Sequence, residues 1–336
     1  MKPSVRSVVT TAALCVAGSV LAQDKVSFGT NWRAQGAHGG FYQALTDGTY
    51  KRLRLAVDIV QGGPQVNNRP LLAAGKLDLL MAGNLLHSFD NVKNGIPTIV
   101  VAAFFQRDPQ ILMVHEGAYP NFGALRSAKN ILIAKDGQFS FWQWLKSEHG
   151  FRDEQLRPYT FNLGPWLNDK SMVQQGYATA EPITAAAQGA KPLVFMLADH
   201  GWNTYSTTVE ARTEFVRTKP EVIRRFVEGS ITGWVNYLYG DRKATNAAIR
   251  KINPDLTDEV IEGEVKRMLD LRIVDSGDAL TKGIGAIDLA RVRSFHDSMV
   301  KAGLYKQSEI DVTKVATDQF VNKGVGVDIK KRLEKR

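Results

Sequence analysis

Cysteine is almost missing from this sequence. The single one, Cys15, sits in an apolar stretch at the N-terminus. Once that stretch is removed, disulfides, thiolate nucleophiles and cysteine metal sites are all excluded. The six histidines, His38, His87, His115, His149, His200 and His296, show no His-x-x-x-His or comparable metal-ligand spacing. No Gly-x-Ser-x-Gly elbow and no Gly-x-x-x-x-Gly-Lys loop occurs, so neither a hydrolase nucleophile nor a phosphate cradle is expected. No run after the N-terminal stretch is long and apolar enough to span a bilayer. Tandem repeats, low-complexity segments and basic motifs interleaved with aromatics are lacking too, so no nucleic-acid partner is expected.

What is present begins with an export signal. Lys2 and Arg6 form a basic start, Val8 to Leu21 carries no charge, and Val20-Leu21-Ala22 suits a cleavage site after Ala22. The segment 1–22 is thus expected to be a signal peptide. The product is expected to be periplasmic, free of cofactors and metal, and a monomer. Without Lys2 and Arg6 the chain keeps 41 basic against 34 acidic residues, a net charge of +7. Its basic residues are spread out apart from the cluster Lys330, Lys331, Arg332, Lys335 and Arg336, which reads as a solvated helix end. At 336 residues there is length for two domains of ordinary size.

The chain then alternates. Strands are expected at Val26–Thr30, Leu53–Val60, Leu77–Met81 and Ile96–Phe105, with helices at Phe41–Leu53, Arg69–Ala74 and Leu85–Asn94 between them. Gln106-Arg107-Asp108-Pro109 interrupts the rhythm, and a second set follows. Its expected strands are Ile111–His115, Asn130–Lys135, Tyr159–Leu163 and Leu193–Ala198, with helices at Phe141–His149 and Asn168–Gln175. From Thr213 onward the pattern is helical. The fold class read from this is α/β, two lobes each built on a mainly parallel sheet with flanking helices, and a helical C-terminal segment. Lobe 1 is expected to comprise 24–105 plus 207–320 and lobe 2 to comprise 108–199. Hinge crossings are expected near 106–109 and 200–206.

Ligands of open α/β sheets bind beyond the carboxyl ends of the strands. The first such turn carries Asn31, Trp32, Gln35 and His38, a flat apolar surface with a few polar groups. Gly39 and Gly40 behind it are expected to let a ligand approach the backbone. Later loops add Gln65 and Asn84. The backbone N–H groups of Gln138, Phe139 and Ser140, ahead of a helix, offer an anion or carbonyl site. Glu181 precedes Pro182, which biases it toward an extended strand end, and Tyr177 lies four residues before it.

At these residues the sequence resembles the nitrate/sulfonate/taurine-type ABC-transporter solute-binding proteins. The resemblance is to the branch containing thiamine-pyrimidine-precursor binding proteins and fungal thiamine-pyrimidine synthases. Asn31-Trp32 through His38-Gly39 is similar to that branch's opening motif, with Asn31 where the branch has an acid. Leu72-Ala73-Ala74-Gly75-Lys76-Leu77-Asp78, Gln174 through Pro182, and Ala198 through Thr208 resemble three further segments in the family's order. The resemblance implies a two-lobed periplasmic-binding fold of type II. Its implied partners are a small molecule and an inner-membrane permease with a cytoplasmic ATPase. Two ligand classes stay open: a pyrimidine-like heterocycle stacked on Trp32 and held by Glu181, and a sulfonate- or nitrate-type anion on the Gln138–Ser140 turn. A synthase-like enzyme is the remaining alternative, without the cysteine-rich motif of the fungal enzymes.

Overall fold

The computed structural model describes residues 22–335. The expected leader therefore lies outside the described residues, apart from Ala22.

The first sheet starts with β1 (Asp24–Gly29), a short 3-10 turn (Gly36–His38) and α1 (Gly39–Thr46). α2 (Thr49–Arg52), β2 (Leu55–Val60), α3 (Arg69–Ala73), β3 (Leu79–Met81), α4 (Leu85–Lys93) and β4 (Thr98–Phe105) follow. The chain crosses over and lays down β5 (Gln110–His115), β6 (Ile131–Ile133), α5 (Lys135–Gln138), α6 (Phe141–His149) and β7 (Leu156–Pro158). α7 (Gly164–Asn168), β8 (Val173–Tyr177), α8 (Glu181–Ala187) and β9 (Pro192–Met196) complete the second sheet. It then returns as β10 (Ser206–Arg212). The rest is helical: α9 (Thr213–Thr218), α10 (Pro220–Tyr239), α11 (Lys243–Ile252), α12 (Asp258–Asp270), α13 (Ala279–Lys282), α14 (Leu289–Lys301) and α15 (Val327–Leu333).

The two sheets mirror one another. The first has the order β2-β1-β3-β10-β4 and the second β7-β6-β8-β5-β9. In the first, β1 runs parallel to β2 and β3, while β10 is antiparallel to β3 and β4. In the second, β6 is parallel to β7 and β8, while β5 is antiparallel to both β8 and β9. Each sheet is thus mixed, with one reversed strand, and that strand adjoins a crossing. β5, inside its sheet, and β4, an edge strand covered by the chain around Gly285 and Ala316, each carry a run of buried residues. Continuous apolar sequence rather than alternation is what such a position needs.

Three local expectations fail for identifiable reasons. The helix expected over Phe41–Leu53 is two helices, because Gly48 adopts φ +75° and breaks it after Asp47. No strand forms over Tyr159–Leu163: the Tyr159 N–H still bonds the Ile133 carbonyl, but Phe161 turns to φ +64°. Asn168–Gln175 is not a helix, since Val173–Tyr177 is the strand between β5 and β6. Its buried Gln174 and Gln175 hide it from a reading that seeks apolar strands.

Gly39 and Gly40 prove to serve packing rather than a ligand. α1 lies against α10, and a Cβ on Gly39 would fall 2.0 Å from the Tyr237 ring. One on Gly40 would fall 2.2 Å from the Trp234 ring. From the other side, a Cβ on Gly233 would meet the Gly40 carbonyl oxygen at 2.2 Å and the Ala44 Cβ at 2.7 Å. Backbone cannot rotate out of the way as a side chain can. Gly233→Ala is therefore expected to lower stability by about 1–3 kcal/mol, as overpacking does. The check is a drop in the urea midpoint at unchanged slope. An unchanged midpoint would mean that the two helices are not in this contact.

Candidate functional site

The carboxyl ends of β1, β3, β6 and β8 face one another across the seam between the sheets. The segments that follow them surround a cleft with about 580 Å³ of unfilled space, its mouth included. From the first sheet's side come Asn31, Trp32, Gln35 and His38 after β1, and Gly83 and Asn84 after β3. From the second come Asp136, Gly137, Ser140 and Phe141 after β6, and Gln175, Tyr177 and Glu181 around the end of β8. The outgoing crossing adds Asp108 and Gln110.

Each side chain is set by its local structure. Trp32 is half-buried, 6.1 Å from the Tyr159 ring and 5.9 Å from the Phe161 ring, measured between centroids. One element of its packing thus comes from the opposite sheet's loops. Asn84 caps α4, its Oδ1 accepting from the Leu86 N–H at 3.1 Å. Its NH₂ group remains for the cleft. His38 is buried, its Nδ1 has no partner among the described residues, and burial pushes its pKa down to about 3. A neutral imidazole therefore faces the cleft at any physiological pH. Glu181 is the first residue of α8 rather than a strand end, with Pro182 next. Proline in the first turn lacks only an N–H that would be unpaired anyway. The Glu181 carboxylate accepts from the Tyr177 N–H at 2.7 Å and from the Tyr159 hydroxyl at 3.2 Å.

Three sequence-derived candidates stand outside the cleft lining. Gln138 donates to the Ile133 carbonyl, and its own carbonyl accepts from Gln143. Phe139 is an exposed apolar side chain. Gln65 is exposed, though its amide donates to the Tyr159 carbonyl at 3.2 Å and so ties the first sheet's loops to the second's. The anion site expected at Gln138–Ser140 is not open either. Those N–H groups donate to the carbonyls of Ala134, Asp136 and Gly137. The short helix α5 consumes them before α6 begins. Of that trio only Ser140 lines the cleft.

Two acids were missed. Asp108 is buried and accepts from the Gln110 N–H and from the Trp202 indole at 2.8 Å. Burial pushes its pKa up to about 6, against those two bonds and the charge of Arg291. Its place just before Pro109, where the sheet pattern breaks, was the available signal. Asp136 sits 3.3 Å from the His87 Nε2 on α4. Burial would raise Asp136, but His87, Arg69 and the Asn31 amide together hold it below the usual carboxylate range. Only the fold brings those three groups to it from the other sheet. Among the described residues no lysine or arginine lines the cleft.

A fourth carboxylate, Glu264 on α12, lies just behind. It accepts from the Ala37 N–H at 3.1 Å, and burial pushes its pKa up to about 8. An acid raised on folding stabilises the fold fully below its unfolded value. That contribution is lost as pH climbs through the folded value. For Asp108 the window runs from 3.8 to about 6, and for Glu264 from 4.5 to about 8. His38, His149 and His296, lowered by burial, act the other way until they are neutral in both states, above about pH 6.5. From there to about pH 8 the unliganded protein is expected to lose stability, and Glu264→Gln to flatten that slope. Melting curves across this range are the check; a melting temperature that rises with pH would contradict it.

Among curated proteins none matches this chain. Solved structures do match, at identities where only the fold is informative. One is a Candida albicans gene product described as having the generic periplasmic binding protein fold, at 15% identity and a TM-score of 0.60, covering 90% of this chain and 98% of that one. Another is the alkanesulfonate-binding protein SsuA of Xanthomonas axonopodis pv. citri bound to MOPS, at 12% identity and 0.64, covering 88% and 99%. The desulfurization enzyme DSZB also matches, at 12% identity and 0.56, covering 94% and 100%. The two mixed sheets of this chain are those of a type II periplasmic-binding fold, which both binding proteins and an enzyme use. A family model described as NMT1/THI5 like matches residues 35–241, well over half of the sequence, and the chain belongs to that family.

Proposed function

We propose that this chain is the solute-binding component of an ABC importer, exported to the periplasm, and that it delivers its solute to an inner-membrane permease with a cytoplasmic ATPase. The two sheets with their helices act as lobes, hinged near 106–109 and 200–206. The solute is a flat nitrogen heterocycle, pyrimidine-like, that enters between them.

The observation that carries the ligand class is the lining of the cleft. An indole platform and three carboxyl groups, Asp108, Asp136 and Glu181, border it without a lysine or arginine. A ring with N–H donors or partial positive charge matches acceptors of this kind. An anion would find carboxyl oxygens rather than cationic donors around it, and any of the three that is ionised would repel it. The sulfonate or nitrate reading is therefore the weaker one for this cleft, although a sulfonate-binding protein shares the fold. A synthase-like enzyme has less support still. The fungal synthases' cysteine-rich motif is missing, and His38 stands as the cleft's one imidazole without an acid to orient it.

The test is a thermal-shift screen of residues 23–336 with aminopyrimidines, aliphatic sulfonates and nitrate. A ligand at about 100 times its dissociation constant adds about 2.7 kcal/mol. Aminopyrimidines are expected to raise the melting temperature and sulfonates to leave it unchanged. The reverse result would overturn the ligand class and keep the transporter. Trp32→Ala is expected to weaken heterocycle binding by about 1–3 kcal/mol, the scale of base–aromatic stacking. Calorimetry reads this directly, and an unchanged affinity would remove Trp32 from the site.

A further inference from the structure

Beside the main cleft lies a smaller chamber with about 350 Å³ of unfilled space, its mouth included, and Gln35 and Glu181 border both. Its walls come from both sides of the seam: Gln35, Leu256 and Glu264 from the first, Tyr159, Phe161 and Glu181 from the second. The helices that carry the two glutamates touch here. A Cβ on Gly263 of α12 would lie 3.2 Å from the Ile183 side chain of α8.

Glu181 is 8% exposed and Glu264 1%. Their hydrogen bonds come from neutral donors, the Tyr177 and Ala37 N–H groups and the Tyr159 hydroxyl. No cation of the protein is among the groups acting on either. Two carboxyls brought together in this way need either a proton or something positive between them. A second, independent observation is Gln35. It is only 5% exposed and borders both spaces, yet among the described residues its side-chain amide makes no hydrogen bond. The amide is thus left to the space it borders, where its carbonyl oxygen can accept from a ligand's donor. The aromatic faces of Tyr159 and Phe161 add a surface that favours a cation.

We propose that this chamber is a second subsite, which takes the ammonium group of a short arm on the ligand, with Glu181, Glu264 and the Gln35 carbonyl as its three acceptors. A primary ammonium carries three N–H donors, which matches that set. The inference rests on the heterocycle reading: the ring occupies the cleft against Trp32, and the arm passes Gln35 into the chamber. The solute is then a ring with an aminoalkyl substituent rather than a bare ring.

Calorimetry on residues 23–336 with two aminopyrimidines separates the possibilities. The two share a ring, and their arms end in an ammonium or a hydroxyl. The ammonium arm is expected to bind about tenfold tighter, the scale of charge-assisted hydrogen bonds. Glu264→Gln is expected to collapse that ratio toward one. Equal affinities in the wild type would overturn the subsite and leave the ring reading standing. Loss of affinity for both arms alike in Glu264→Gln would assign Glu264 a structural role and also overturn it. If neither compound binds, the ring reading fails, and the subsite falls with it.

Discussion

Carboxyl groups gathered at a seam, with no protein cation facing the space between them, are the constraint on which this molecule's behaviour depends. Asp108, Glu181 and Glu264 are raised by burial, and their hydrogen bonds offset only part of the cost. Asp136 escapes because His87, Arg69 and the Asn31 amide, reaching from the other sheet, outweigh its burial. On the proposed reading the contrast matters for closure: Asp136 already has partners across the seam, whereas the other three take a proton or a positively polarised ligand.

The topology makes this gathering possible. Each sheet contains one reversed strand next to a crossing, so the carboxyl ends of the parallel strands in both sheets face the same seam. Residues far apart in sequence thereby become neighbours, such as Gln65 with Tyr159 and His87 with Asp136. The helical C-terminal part is more than an outer layer. α10 supplies Trp234 and Tyr237, which fill the space over Gly40 and Gly39 and fix the start of α1. α12 supplies Glu264, which holds the turn carrying His38 through the Ala37 N–H.

Much of this was legible in the sequence, and the gaps have physical causes. The strand-to-helix turns after β1 and β3 announced Asn31, Trp32, Gln35, His38 and Asn84, since small and amide residues at a strand's end are local signals. The central strand β8 was hidden because it buries two glutamines instead of apolar side chains. Gly39 and Gly40 looked like ligand-facing glycines because a sequence does not say which partner needs the room; the helix that needs it lies nearly 200 residues later. Gln138 and Phe139 were misplaced because one short helical turn, α5, precedes α6 and uses up the N–H groups. Asp108 and Asp136 were unreadable as a pair, because only the two crossings bring them to one cleft.

The most direct test of the central claim is a crystal structure with an aminopyrimidine bound. The account predicts the ring stacked on Trp32, with its exocyclic nitrogen within about 3 Å of a carboxylate oxygen of Asp108, Asp136 or Glu181. A cleft that stays empty at saturating aminopyrimidine, or that takes up a sulfonate among those same carboxylates, would contradict it.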